Sequence, residues 1–263
     1  MKKVIFILLP LILLALFLYL KLNSRSDGQE VSQVITNTPD FMITEESDVS
    51  PNVTQIPGID IEGFKVVWLI VRDFGKIDLK SNLETKLTST EAFINDKCKY
   101  LVNAGFFGED GKHIGLFVEN GDVISSSEQN NLFNGFLAVD NSTAVISDDV
   151  PLNPKNAVQS GPLLYMSGKP IQLNINSQEP ARRIVSAVSE RKEIIYLAFY
   201  LPSNNLSGPT LGALPGLLEK LDEATSLKIK DAINLDGGSH SVFLGSNIRL
   251  TEASKIGSYF CIR

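Results

Sequence analysis

Lys65-Val66-Val67-Trp68-Leu69-Ile70-Val71 is a continuous apolar run rich in β-branched and aromatic residues. Such a run suits a strand buried on both faces, so this stretch needs packing layers above and below it. Outward from it, further short segments repeat the strand signal. They are expected at residues 100–102, 114–118, 122–125, 135–139, 144–146, 162–165, 184–188, 194–199 and 232–235. The pair 114–118 and 122–125 reads as a hairpin, because Asn120-Gly121 supplies the positive φ of a tight turn. Helices are few. Ser89-Thr90-Glu91-Ala92-Phe93 opens a short one with a hydroxyl available to cap it. Residues 210–221 form the long one, with Leu211, Leu214, Leu217, Leu218 and Leu221 on one face and Pro215-Gly216 marking a restart. The sum is an α+β fold: a strand-rich single domain with a mixed sheet core and a few helices, over residues 58–263.

Before that domain the chain changes character twice. Lys2 and Lys3 precede an apolar run at residues 4–20, closed by Lys21 and Arg25. Residues 1–22 therefore read as one membrane helix, a signal anchor with its N-terminus inside and the remainder exported. A cleaved signal peptide, giving a secreted protein, is the competing reading. Residues 23–57 are polar and aperiodic and read as a flexible linker. The net charge of -6 gives no basic surface for a phosphate backbone, so no nucleic acid is expected as partner. Cys98 and Cys261 are too far apart in sequence for a zinc or dithiol motif. In an oxidising compartment they would pair; two buried free thiols fit the sequence as well.

Four segments put glycine and polar side chains where a strand ends, which is how a backbone is brought close to a ligand. The first is Asn234-Leu235-Asp236-Gly237-Gly238-Ser239-His240-Ser241, in which a strand delivers a carboxylate into a turn that no side chain crowds. A plain Asp-Gly turn is the alternative. The second is Asn103-Ala104-Gly105-Phe106-Phe107, whose rings suit a sugar face, although two consecutive phenylalanines more often fill a core. The third, Gln159-Ser160-Gly161-Pro162, and the fourth, Arg182-Arg183, also read as an ordinary turn and a surface pair; a guanidinium at a strand start suits a phosphate. Nucleotide-cradling glycine loops, His-Glu-x-x-His and Gly-x-Ser-x-Gly are absent from the sequence, and His113 and His240 are its only imidazoles.

In order and together, the four segments resemble the signature of the phosphodiester glycosidase family. Asn103 to Phe107, Gln159 to Leu164, Arg183 (Arg182 second), and Gly208 to Leu211 followed by Ala232 to Gly238 carry the likeness. Two positions depart from the family pattern: Ser239 where it often has a third glycine, and His240 where it has serine or threonine. The resemblance implies release of a sugar from a sugar-1-phosphodiester in an envelope or extracellular glycan. Asp236 would act as nucleophile, base or ligand of a divalent cation, and Arg183 and Asn103 would complete the catalytic set. Gln159, Ser160, Gly161, Asn234, Gly237, Gly238, Ser239, His240 and Phe107 would bind substrate. No cofactor beyond that cation is implied. The alternative is a non-catalytic envelope module that binds glycan or a phosphate-bearing polymer in the same place.

Overall fold

The computed structural model describes residues 53–175 and 179–263. The expected membrane helix at 1–22 and most of the expected linker lie outside the described residues. Among the described residues, no helix is long and apolar enough to cross a membrane.

Seventeen strands, counted among the described residues, form three sheets. The first holds, in spatial order, β1 (Val53–Ile61), β2 (Phe64–Val71), β13 (Ile194–Tyr200), β12 (Arg183–Ser189), β14 (Ile229–Asn234), β10 (Leu163–Met166) and β11 (Lys169–Pro170). The second runs β16 (Arg249–Leu250), β15 (Phe243–Leu244), β4 (Tyr100–Asn103), β17 (Ser258–Ile262), β3 (Ile77–Ser81). The third runs β6 (Asp122–Ser125), β5 (Phe117–Glu119), β9 (Asn156–Ser160), β7 (Gly135–Val139), β8 (Ala144–Ser147).

The run that opened the sequence reading is β2, and its two faces enter different cores. Val67, Leu69 and Val71 point into a core shared with Val102 and Phe260 of the second sheet and Leu137 and Val158 of the third. Val66, Trp68 and Ile70 point the other way, into a core closed by Leu214, Leu217, Leu218 and Leu221 of helix α2 (Leu214–Thr225). Alternate residues of a strand face opposite sides, so two layers are what an unalternating sequence requires.

Three expectations are corrected. The sheets are not mixed: every pairing among the described residues is antiparallel. A parallel neighbour needs a crossover, and the described residues hold one long helix to spend on such connections. The domain also starts earlier than residue 58. β1 begins at Val53, whose buried side chain and pairing with Val71 show that the end of the expected linker is edge strand. Helix α2 starts at Leu214, after a 3-10 turn over Leu211–Ala213. Pro215 occupies the first turn, where a missing N–H costs nothing, so it begins the helix and does not interrupt it. The short helix α1 (Ser89–Asn95) is capped by Thr88, whose hydroxyl accepts from Glu91 N while the Glu91 carboxylate accepts from Thr88 N. Cys98 and Cys261 are joined, so of the two readings left open the disulfide is the one observed.

Candidate active site

Strand β14 delivers Asn234 and then the turn containing Asp236. The register pairs Val185 of β12 with Asn234, and Leu235 N donates to Ile184 O at 2.8 Å. Beyond Leu235 the ladder slips by a residue, Gly238 N donating to Arg182 O at 2.8 Å, and the Arg183 side chain comes alongside Gly237, the neighbour of Asp236. Two side chains fifty-three positions apart are thus brought to one end of one sheet.

The turn is braced from every side. Asp236 N donates to Ala104 O at 3.0 Å, and Asn103 Nδ2 donates to Asp236 O at 2.7 Å. The Asn103 carbamoyl oxygen accepts from Val242 N at 2.6 Å. Arg182 is wholly buried: its Nε donates to Ser241 Oγ at 2.7 Å, and its Nη2 to the carbonyls of Ser241 and Thr251 at 2.5 and 2.6 Å. Burial lowers its pKa to about 10, still far above neutrality, so it braces the turn as a cation. Ser239 O accepts from Ala253 N and Ser254 N.

Inside this frame the Asp236 carboxyl is 8 % exposed. Desolvation raises its pKa to about 7, against smaller opposing effects of His240 and of Gly237 N, which donates to Oδ1 at 2.8 Å. Arg183 forms no ion pair with it. Its Nε donates to Pro209 O at 3.1 Å and its Nη2 to Glu179 O at 2.7 Å; Nη1 has no hydrogen bond among the described residues. Nη1 stands 3.7 Å from where a Cβ on Gly237 would be. Of the two arginines, then, Arg182 is a strut and Arg183 borders the site. His240 closes the turn with Nδ1 2.6 Å from Lys255 O, and Phe107 meets its ring edge-on at 5.2 Å.

Several expected site residues have other work. Gln159 is spent entirely on backbone: Oε1 accepts from Leu116 N and Glu128 N, and Nε2 donates to Glu128 O and Phe133 O. Ser160 Oγ donates to Asn234 O at 2.7 Å. Gly161, with φ of 156°, lets the 132–134 loop approach so closely that a Cβ would lie 2.2 Å from Leu132 O. Both ends of the Asn103 amide hold the turn. The Gly237 and Gly238 amides, read as donors to substrate, are already committed to Asp236 Oδ1 and Arg182 O. Asn234 Nδ2 donates to Gly161 O at 2.9 Å, while its Oδ1 is buried without a partner. Asp236, Arg183, Ser239, His240 and Phe107 are the expected residues that still offer a group at the turn. Sequence reasoning missed the 251–256 loop that covers the turn, and nothing in its composition marks it.

Two features bear on alternative sites. Among the described residues, no group of three or more His, Cys, Asp or Glu side chains converges to hold a metal ion. Asp236 therefore lacks the companion carboxylates that a divalent cation's oxygen shell normally recruits. A groove of about 540 Å3 lined by Ser81, Glu84, Lys112, His113 and Asp122 lies apart from Asp236. Its one buried imidazole, His113, shares a hydrogen bond with Ser81 at 2.8 Å.

The sequence matches the family model for phosphodiester glycosidases over residues 96–262. No curated protein matches significantly. Among solved structures, the catalytic domain of zebrafish N-acetylglucosamine-1-phosphodiester alpha-N-acetylglucosaminidase, auto-inhibited by its pro-peptide, superposes with a TM-score of 0.60 at 16% identity. That match covers 82% of this chain and 85% of the other. A hypothetical protein from Synechocystis gives a TM-score of 0.53 at 15% identity, covering 81% and 62%. An exported protein of Burkholderia pseudomallei gives 0.51 at 11%, covering 76% and 74%. At these identities the structural likenesses speak for the fold alone.

Proposed function

The chain belongs to the phosphodiester glycosidase family, and on that premise we propose that it hydrolyses a sugar-1-phosphodiester, releasing free sugar and a phosphomonoester. The observation that carries the reading is Asp236, a buried carboxyl whose pKa desolvation raises to about 7, held rigidly at a strand end beside a glycine that Arg183 abuts, with Arg183 Nη1 making no hydrogen bond among the described residues. A base works best with a pKa near the operating pH, so this carboxyl suits removal of a proton from water better than direct attack. Water then bonds to the anomeric carbon, the bond from that carbon to the phosphate oxygen breaks, and its electron pair leaves on the phosphate. One water proton stays on the sugar hydroxyl and the other passes to Asp236. A phosphomonoester is already a good leaving group, so a second carboxyl acid is less needed than in ordinary glycosidases. Arg183 offsets the charge that develops on the departing phosphate.

The reading extends to location. We take residues 1–22 as the anchor of an exported domain acting on an envelope or extracellular glycan; the apolar run before residue 21 supports this, as does a disulfide, which persists in oxidising compartments.

The test is incubation of the chain with a panel of sugar-1-phosphodiesters in isotopically labelled water. Free sugar carrying the label is expected, and Asp236→Asn abolishes it while the fold is retained. Label in the phosphate would mean cleavage of the P–O bond instead. Saturable binding without sugar release would point to a glycan-binding module, and activity retained by the variant would remove Asp236 from the mechanism.

A further inference from the structure

The imidazole of His240 is held in one orientation with one nitrogen left over. A carbonyl only accepts hydrogen bonds, so the 2.6 Å contact with Lys255 O requires a proton on Nδ1 in either charge state of the ring. That leaves Nε2, which has no hydrogen bond among the described residues. Phe107 abuts the ring edge-on, with an interplanar angle of 83°, and opposes its rotation. The ring is half-buried, and its charge is felt at Asp236. At the other end of the same turn stands Arg183 Nη1, likewise without a partner and 3.7 Å from the place of a Gly237 Cβ. A phosphodiester carries its charge on two non-bridging oxygens, and one guanidinium nitrogen satisfies one of them.

The charged groups on the elements around His240 are few. Its own turn brings Asp236, β12 and the residue before it bring Arg183 and Arg182, and the 251–256 loop brings Glu252 and Lys255. Arg182 is consumed by Ser241, Asn205 and Thr251, and Glu252 accepts from Ser89. The Phe106-Phe107 segment contributes rings alone.

We infer that His240 completes the phosphate seat of this site: Nε2–H of the imidazolium donates to one non-bridging oxygen of the substrate while Arg183 Nη1 donates to the other. The inference rests on the reading of the substrate as a sugar-1-phosphodiester. It makes His240 a residue that selects for the phosphate and leaves proton removal from water to Asp236. It also gives a physical role to one of the two positions where this chain departs from the family pattern.

The chain has two histidines, so the imidazole region of an NMR spectrum holds two sets of signals, which His240→Gln assigns. Titrating the full chain with inorganic phosphate should move the His240 signals and leave those of His113 in place. His240→Gln should weaken phosphate binding roughly tenfold and raise KM for a hydrolysed sugar-1-phosphodiester by a similar factor, with a smaller effect on kcat. His240 signals indifferent to phosphate, or a variant that binds phosphate as the parent does, would overturn the seat. The two readings fail separately. Phosphate that moves His240 in a chain that hydrolyses no sugar-1-phosphodiester leaves the seat and removes the reaction; turnover with an unchanged KM in His240→Gln leaves the reaction and removes the seat.

Discussion

At the scale of single residues, Asp236 shows how a fold can hold a group in a state that costs stability. Burial raises the carboxyl pKa from an ordinary 3.8 to about 7. Between those values the folded protein keeps a proton that the unfolded chain has released, so stability from this group is full below about pH 4 and is lost as pH rises through 7. Asp236→Asn carries no charge and escapes that loss. Its thermal midpoint should exceed the parent's at pH 8 and converge with it towards pH 4; equal midpoints at pH 8 would show that the carboxyl ionises freely in the folded state. The sequence located this residue because an apolar strand running into Asp-Gly-Gly marks where a carboxylate is presented. It did not reveal which polar neighbours face the ligand and which face the protein. Asn103 and Gln159 sit at strand ends as expected, but their amides hold the turn and the 128–133 loop, because a buried amide left unpaired is costly and both lie where loop backbone needs partners. Arg182 and Arg183 are adjacent and chemically alike, and only strand alternation sends one into the protein and the other to the site.

Among the elements, those whose own residues dictate their geometry were legible. Asn120 and Gly121, with φ of 52° and 88°, form the left-handed turn that their types favour, and β2 is covered on both faces as its unbroken run demands. Strands β3 and β9 were not foreseen: each has five residues with polar side chains interspersed, and each becomes a strand through the partners on its edges. The segment leading into β5 adds a titratable group that no motif marked. His113 stacks on Phe117 with ring centroids 3.7 Å apart, shares a hydrogen bond with Ser81 of β3, and has a pKa lowered to about 4 by burial. The sign is opposite to that of Asp236. In the window from about 6.5 down to 4 the unfolded chain binds a proton that the folded one refuses, so stability falls as pH drops through it. His113→Gln, which cannot be charged, should flatten the acid limb of the stability profile. The His113 ring signals should remain those of neutral imidazole at pH 5.5, and a protonated ring at that pH would contradict the buried, neutral state.

For the whole molecule, the seven-stranded sheet is the common wall of two cores, and the candidate site lies at the end of two of its strands, where the second sheet also arrives. Strand β4 brings Asn103 to the turn, and β17 is its neighbour on one side. The disulfide fastens this corner: Cys98 precedes β4, Cys261 lies in β17, and Cys261 is paired with Leu101 in the ladder. Antiparallel hydrogen bonds already hold these strands together, so the bond adds little that the native state lacks. Its effect falls on the unfolded chain, where a closure across 163 positions removes conformational freedom worth about 5 kcal/mol in a chain-entropy description. The double variant Cys98→Ser with Cys261→Ser should accordingly lose most of that amount in denaturant unfolding. Because Asn103 and Arg182 hold the turn independently of the disulfide, the variant should keep the pH dependence of stability set by the raised pKa of the Asp236 carboxyl. A shifted pH profile in the folded double variant would mean that the covalent tie, and not the hydrogen-bonded frame, sets the environment of the carboxyl.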